Sequence, residues 1–447
     1  MLINDYLDNE YHDYAMYTIE NRAIPSVIDG LKPVQRKILH ISSRLWKGVS
    51  GEKPKKIFQL AGSTAADAKY HHGDASLQSA ITGMAQDFKN NMPLFDREGQ
   101  FGSLRSTQAG APRYIGVKLN SNFNKLFKDK NLLQFKEDDG DLIEPKYFLP
   151  IIPTVILNGT SGIAVGFATN ILNRDPADVI NACLDILDDK EIGRLVPKIN
   201  GFSGTFELDT DEDGMLRRWT AKGKIEVVNS TTLKITELAP SVTYEKYENY
   251  LDGLVENKTI QSYEDKASGG DIHYVVKMTK ENLAKLTSKN TLRKIFKIDE
   301  SITENINTLD ENGELKYFET EIGVVEYFVE YRLGYYYKRK DITLNDLLRE
   351  LKVLGSKYKF VKAVVDGEIE IKNVPKQSLI DYCVAQKFFS DDGYDYLLRM
   401  PIHSLTKETI EKIIKDVKDA KAEYDYIKEK EPADMYREDL RELLQNL

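Results

Sequence analysis

The chain has 447 residues, of which 30% are charged and 41% apolar, and a formal net charge of −9. That length allows two or three domains with a sizeable core, and no run approaches the roughly 20 apolar residues of a membrane helix. The N-terminus, Met1-Leu2-Ile3-Asn4-Asp5, lacks the basic start and apolar stretch of a signal peptide, and two cysteines 200 residues apart, Cys183 and Cys383, suggest neither a disulfide framework nor a metal site and fit a reducing cytoplasm.

Residues 1–20 alternate acidic and apolar positions and predict a helix packed on the body. Pro33 then opens a helical pattern in which Val34, Ile38 and Ile41/Leu45 recur at spacings of three and four; proline suits a first helical turn. Arg36 and Lys37 are expected to project near the start of that helix. Helices alternating with short loops up to about residue 90 are compatible with a helix-turn-helix core. From Tyr147 to Leu157 the chain is apolar and broken by prolines. It runs into Asn158-Gly159-Thr160-Ser161-Gly162-Ile163-Ala164-Val165-Gly166, where the glycines imply tight turns or close backbone approach.

Residues 200–320 read as a separate α/β domain. Strands are predicted at Ile225–Val228, Leu233–Thr236 and Ile272–Met278 from their β-branched content, with a helix over Tyr244–Val255 and a loop at Lys266–Asp271. The C-terminal third is helical. Leu347, Leu351, Leu354, Tyr358, Val361 and Val365 recur at 4, 3, 4, 3, 4, and Ile410, Ile413, Val417, Ala420, Tyr424 and Ile427 at 3, 4, 3, 4, 3. Each is the seam of a coiled coil. Residues 366–399 between them predict a small globular tip joining two antiparallel arms; two ordinary amphipathic helices in a bundle are the alternative.

The charge is unevenly spread. Residues 22–130 hold 18 Lys/Arg and 8 Asp/Glu, a net of +10, which leaves −19 for the rest of the chain. A basic segment on an acidic body is the footprint of a polyanion such as nucleic acid; chance clustering on a solvated face is the bland alternative. Within that segment lie Arg22, Lys32, Arg36 and Lys37, the run Tyr70-His71-His72-Gly73-Asp74, and Arg113-Tyr114. Adjacent histidines rarely chelate one ion, and no cysteine or third histidine is near, so zinc is not expected. Histidines presented to phosphates, near a helix start that Asp74 caps, suit the pattern better. A phenol beside a guanidinium is a poor acid–base pair at neutral pH, since tyrosine titrates near ~10. It suits a covalent nucleophile whose neighbouring cations hold the phosphate it attacks. Gly102, Ser103, Gly110 and Ala111 leave that phenol room to approach a duplex. With 25 tyrosines in the chain, an ordinary core or surface aromatic is the competing reading.

Arg22-Ala23-Ile24-Pro25, Asp29–Lys37, Gln59–Ser63, Tyr70–Asp74, Gly99–Ser103 and Pro112–Ile115 resemble, in order and spacing, the breakage–reunion part of type IIA DNA topoisomerases. Asn158–Gly166 looks like the family's loop whose isoleucine wedges into bent DNA, and the match covers essentially the whole chain. The resemblance implies an α+β multidomain fold: a winged-helix DNA-gate domain over 1–152, an α/β tower domain over 153–325, and coiled-coil arms with a small helical dimerisation tip over 326–447. Carried over by position, Tyr114 would be the nucleophile that becomes linked to the 5′ end of cleaved DNA. Arg113 would stabilise the pentavalent phosphate, and His72, Arg22 and His71 would position the phosphate or help remove the phenolic proton. Lys32, Arg36, Lys37, Ser63 and Lys69 would contact DNA, and Ile163 would intercalate. The implied reaction is a transient double-strand break for duplex passage, with relaxation rather than gyrase-type supercoiling.

Several positions depart from the bacterial pattern. Leu104-Arg105-Ser106-Thr107-Gln108 stands where acidic residues are usual, His72-Gly73-Asp74-Ala75 replaces His-Gly-Asp-Ser, and Ile171-Leu172-Asn173-Arg174 replaces Ile-Pro-Pro. Tyr-His-His-Gly is nearer to eukaryotic members and to those of T-even-like phages, whose separate medium subunit this length resembles. There is no Gly-rich ATP motif and no clustered Asp-x-Asp of a metal-binding Toprim domain; Asp139-Gly140-Asp141 sits in an acidic loop without the expected strand. The chain is expected to lack the DNA-wrapping domain of gyrase. ATP and Mg²⁺ are therefore expected on a partner subunit with ATPase and Toprim domains, and the chain to dimerise through its C-terminal region in a host cytoplasm. A non-catalytic architectural DNA-binding dimer and a coiled-coil scaffold are the alternatives.

Overall fold

A computed structural model describes residues 11–47, 51–210, 214, 217–268, 270–371, 374–390 and 393–447. The readings of Met1–Asp5 and of the first half of the helix expected over 1–20 lie outside the described residues. The chain forms two units, one comprising Met1–Arg332 with Arg437–Leu447, the other Leu333–Tyr436.

The first unit opens with α1 (His12–Thr18), which runs into a single π-type turn at Ile19–Ala23. The helix is present but its packing differs from expectation: no residue of α1 is buried, and only Ile19 and Ala23 of the turn reach the core. Then come α2 (Pro33–Leu45), β1 (Lys55–Lys56), α3 (Ile57–Asp67), α4 (Asp74–Ala85), β2 (Phe95–Glu98) and β3 (Gly116–Leu119). Pro33 takes the first position of α2, and the Lys32 backbone N–H, left over at that end, donates to Gln35 Oε1 at 2.8 Å. Ile38, Leu39 and Ile41 turn the apolar face of α2 inward. Asp74 does not cap α4. It is the first helical residue, after Gly73, and its carboxylate sits in the first turn where the helix dipole favours it. The three short strands form an antiparallel sheet in the order β1-β3-β2.

Next follow α5 (Ser121–Leu126), the hairpin of β4 (Phe135–Asp138) and β5 (Asp141–Pro145), α6 (Thr154–Leu157), the hairpin of β6 (Thr160–Ile163) and β7 (Ala168–Ile171), and α7 (Pro176–Leu187). The acidic Asp139-Gly140-Asp141 segment, expected as a loop without a strand, instead turns between two paired strands, and Asp141 begins the second. Beyond it lie β8 (Thr205–Asp209), β9 (Arg218–Lys222), β10 (Lys224–Asn229), β11 (Thr232–Glu237), α8 (Tyr244–Glu256), β12 (Ser262–Asp265), β13 (Tyr274–Lys277), α9 (Lys280–Ser288), α10 (Leu292–Ile295), β14 (Asp299–Thr303), β15 (Ile306–Leu309) and β16 (Leu315–Phe318). A sheet in the order β10-β11-β13-β12 buries Leu233, Ile235, Tyr274 and Val276 against Tyr247 and Leu251 of α8, an α/β layer with strands and helix where the sequence places them, but within the first unit rather than as a unit of its own. A second sheet runs β14-β9-β8.

A buried ionic cluster ties these parts together. Arg174, fully enclosed, pairs with Glu304 through Nη2–Oε2 at 2.7 Å and Nη1–Oε1 at 3.0 Å. Glu304 also accepts from the Leu172 backbone N–H and from Trp219 Nε1. Glu321 lies 3.5 Å from Arg174 and takes a bidentate bond from Arg194. Burial alone would raise the Glu321 carboxyl. The Arg194 hydrogen bonds, with the charges of Arg174 and Arg194, outweigh it and hold the group below the usual range.

Helix α11 (Glu321–Val365) starts at that cluster and continues into the second unit, which also holds α12 (Lys376–Ala385), α13 (Asp395–Leu398), α14 (Lys407–Glu429) and the start of α15 (Pro432–Gln445). Within the second unit Tyr336 stacks on Tyr436 at 4.5 Å, and Lys340 Nζ donates to the Lys430 carbonyl, so α11 and α14 run antiparallel. From 410 to 427 the six seam residues are the ones withdrawn from solvent; every residue between them is exposed. Phe360, Cys383, Phe388 and Leu397 form a small apolar core between the arms, in the place read as a globular tip.

Removing one partner from a buried ion pair strands the other, at a cost of about 3–5 kcal/mol. Arg174→Met should therefore lower stability by roughly that much in thermal or denaturant melts, and Glu304→Gln added to it should recover part of the loss. The stabilisation from Glu321, whose folded pKa is depressed, should be complete above the ordinary glutamate range and disappear as pH falls through the lowered value. Acid melts of Glu321→Gln should accordingly show a smaller loss than those of the unmodified chain.

Candidate nucleic-acid interface

Tyr114 sits on a long loop between β2 and β3 that is pinned on both sides. Phe101 and Ile115 are buried, the Gly110 N–H donates to the Gln100 carbonyl, and Ser103 and Ser106 bridge to each other. Gly102 is required here: its φ is +83° and a Cβ would lie 2.8 Å from the Ser106 carbonyl oxygen. The loop is then fastened to the start of α3, where the Ile57 and Phe58 N–H groups donate to the Ile115 and Pro112 carbonyls and Lys56 Nζ donates to the Tyr114 carbonyl. These bonds hold the backbone and leave the side chain out. Tyr114 is 71% exposed, and the exposed Arg113 makes no ion pair with any described residue.

Arg105, from the segment that departs from the bacterial pattern, is a further tether. Its buried guanidinium pairs with Glu237 and donates to the carbonyls of Leu238, Ala239 and Val242. An arginine in a loop gives no hint of a partner 132 positions away.

The two histidines lie elsewhere. A cavity of about 670 Å³ is lined by Arg22, Lys37, Lys69, His71 and His72 together with Tyr17 and Tyr70. Thus the structure brings together five of the residues singled out from the sequence, but Tyr114 is not among the lining residues. The Tyr114 loop abuts the N-terminal end of α3, while Tyr70-His71-His72 follow its C-terminal end. Between those two ends the helix runs for eleven residues, an axial rise of about 15 Å. Ser63 is half-buried on that same helix.

Of the expected phosphate-gripping cations, Arg36 is corrected. Instead of projecting, it is buried and bound to the fully enclosed Asp29, Nε–Oδ2 at 2.6 Å and Nη2–Oδ1 at 3.1 Å, and it donates to the Leu31 carbonyl. Asp29 also accepts from the Leu31 and Phe148 N–H groups, so the pair is internal scaffolding. Lys37 reaches the cavity but its Nζ bonds Glu144 at 2.7 Å and the Ala68 carbonyl. Lys69 bonds Asp141 at 3.1 Å and the Asp138 carbonyl, and the Asp141 hydrogen bond, with the charges of Asp141, Asp138 and Asp139, raises its pKa. Lys32 Nζ donates to the Ser161 carbonyl at 2.8 Å, and its burial lowers its pKa. Arg22 is exposed and makes no ion pair with a described residue. Its guanidinium lies 5.3 Å from the ring centre of Tyr17.

Ile163 stands at the end of the β6–β7 hairpin, 88% exposed, with Phe167 beside it in the same turn. The hairpin is held rigidly behind that tip. Gly162 lies so close to the chain at Ala23 that a Cβ would come within 2.1 Å of the Ala23 carbonyl oxygen. Asn170 and Asn305 exchange backbone hydrogen bonds at 2.9 Å. The isoleucine is therefore not core packing, and leaving it in water is unfavourable unless something covers it.

Comparison with known proteins agrees along the chain. The pattern of the DNA gyrase/topoisomerase IV A-subunit family matches residues 22–441. The DNA topoisomerase medium subunit of Enterobacteria phage T4 is 33% identical over 98% of this chain and 97% of its own length. Human DNA topoisomerase 2-alpha is 32% identical over 99% of this chain, which spans only 32% of that enzyme. A Plasmodium falciparum topoisomerase II DNA-binding, cleavage and re-ligation domain superposes with a TM-score of 0.86 at 29% identity, over 99% of this chain and 65% of that one. With a family match over nearly the whole chain and a relative matched almost end to end, the chain belongs to the type IIA DNA topoisomerase family, as a counterpart of its DNA-binding and cleavage subunits.

Proposed function

We propose that the chain is the DNA-cleaving and religating subunit of a type II topoisomerase. It acts as a homodimer, joined through the C-terminal arms, with a partner chain carrying the ATPase and Toprim domains. The observation that carries this reading is Tyr114: a solvent-facing phenol on a backbone fixed by hydrogen bonds, beside a guanidinium that no described residue pairs with. Tyr114 Oη gives up its proton to solvent as it attacks a backbone phosphorus, the P–O3′ bond breaks, and the 3′ oxygen takes up a proton in its place. The 5′ end stays on the tyrosine as a phosphotyrosyl ester, so resealing reverses the step without an outside energy source. Arg113 offsets the charge that builds on the phosphoryl oxygens.

Tyr114 does not line the Arg22–His72 cavity, and the two lie towards opposite ends of α3, which supports a site shared between two copies, in which each copy brings its phenol to the other's cavity. Lys32, Lys37, Ser63, Lys69 and His71 are read as contacts to the DNA backbone, and Ile163 as the wedge between base steps. The N-terminal helices with the β1-β3-β2 sheet are read as a winged helix, and the α/β layer as the tower. Mg²⁺, once bound by the partner, would neutralise charge on the phosphate. Among the described residues no three His, Cys, Asp or Glu side chains converge as a metal cage would, and Asp141 is engaged by Lys69.

Tyr114→Phe removes only the hydroxyl. In the reconstituted complex it should abolish cleavage and relaxation of supercoiled DNA while changing DNA affinity by no more than about twofold, because binding rests on cations. Covalent protein–DNA adducts on a denaturing gel decide this: adducts formed by the Phe variant would remove Tyr114 as nucleophile, and their absence with wild type would favour an architectural DNA-binding role.

Ile163→Ala deletes an exposed side chain, so stability should stay within about 0.5 kcal/mol of wild type. Bend angle measured by fluorescence on a doubly labelled duplex should fall, and cleavage with it. A variant that bends DNA normally would exclude the wedge.

A further inference from the structure

Tyr17 lies outside every motif that marks this family in the sequence, yet it touches two residues of the cavity at once. Its hydroxyl is 3.0 Å from His72 Nε2, and its ring face lies beneath the Arg22 guanidinium, 5.3 Å from ring centre to Cζ. His72 is steadied on another side by Tyr70, whose ring meets it edge-on at 5.2 Å and whose hydroxyl is fixed 2.9 Å from Ser76 Oγ. His72 Nδ1 has no hydrogen-bond partner among the described residues. No residue of the helix that delivers Tyr17 is buried, Tyr17 included, so these contacts are the main engagement of that side chain with the rest of the unit.

Resting on the reading of this cavity as a phosphate site, we propose that Tyr17 is a positioning residue that fixes the tautomer of His72. A phenol donates better than it accepts, because its oxygen lone pair is shared with the ring. A cation over the ring face withdraws further electron density and strengthens that bias. Tyr17 therefore donates to Nε2, and the neutral imidazole carries its proton on Nδ1. His72 then faces an incoming phosphate as a hydrogen-bond donor. It is not the base that takes the Tyr114 proton, because its one lone pair is already occupied. The same ring orients Arg22, so two phosphate-facing groups are set by one side chain.

The test uses the full chain with ¹⁵N-labelled histidine, alone for spectroscopy and with the partner chain for kinetics. Long-range ¹H–¹⁵N spectra report which ring nitrogen carries the proton, and His72→Gln identifies the resonance. Wild-type His72 should be protonated on Nδ1, and Tyr17→Phe should move it towards the Nε2–H form that free histidine prefers. Tyr17→Phe should slow DNA cleavage about tenfold, the worth of one hydrogen bond, with DNA affinity unchanged. Tyr17→Leu, which also removes the ring beneath Arg22, should in addition weaken DNA binding. A wild-type His72 carrying its proton on Nε2, or a Tyr17→Phe chain with the wild-type tautomer, overturns the proposal. If Tyr17→Phe shifts the tautomer while the wild-type complex forms no covalent adduct, the positioning role stands and the cleavage function fails.

Discussion

The buried Arg174–Glu304 pair is the constraint on which the outward-facing features depend. Glu304 takes hydrogen bonds from Arg174, Leu172 and Trp219, and so gathers the exit of the β6–β7 hairpin and strand β9 around a single carboxylate at the end of β14. The next residue, Asn305, pairs with Asn170 of the hairpin itself. Arg174 in turn lies near Glu321, from which the longest helix departs. Such a cluster contributes little net stability over apolar packing, but it tolerates one arrangement only, because any other strands a charge away from water. The cluster fixes the exit of the hairpin, and the Asn170–Asn305 bonds and the close approach of Gly162 to Ala23 hold it nearer the exposed Ile163.

Much of the architecture is legible in the sequence alone. The 3-and-4 spacing from Ile410 to Ile427 marks the buried seam residue by residue, because helical geometry alone decides which side chains share a face. The α/β layer is legible for a similar reason: β-branched runs and a helix of regular period leave few ways to pack. What sequence could not reveal was the far end of each ion pair. Arg36 and Lys37 counted towards a basic surface, but their partners Asp29 and Glu144 lie 7 and 107 positions away. Formal charge cannot tell an arginine that faces solvent from one enclosed with a carboxylate. The net of +10 over residues 22–130 therefore overstates the positive charge presented outward.

Tyr17 and Arg105 escaped for a related reason. Tyr17 is one of 25 tyrosines, on a helix with no buried residue, and it meets His72 only because Tyr70-His71-His72 fold back from 55 positions away. Arg105 anchors the loop bearing Tyr114 to the α/β layer, so the exposure of the phenol is set partly by a residue whose own side chain is hidden. In both cases local sequence supplies the group and long-range folding supplies its surroundings.

The acidic turn of the β4–β5 hairpin alters what salt can reveal about this surface. Lys69 already carries Asp141 as its counter-anion, and Lys37 carries Glu144. If DNA engages these lysines, each exchanges a carboxylate for a phosphate, and the displaced carboxylate draws a cation from solution. The cation expelled from DNA is matched by one taken up on the protein, so such a contact adds almost nothing to the salt dependence of binding. Arg22 and Arg113 have no such partner among the described residues and would be felt in full. A salt titration of this chain would then register those arginines and pass over any lysine that trades its carboxylate for a phosphate.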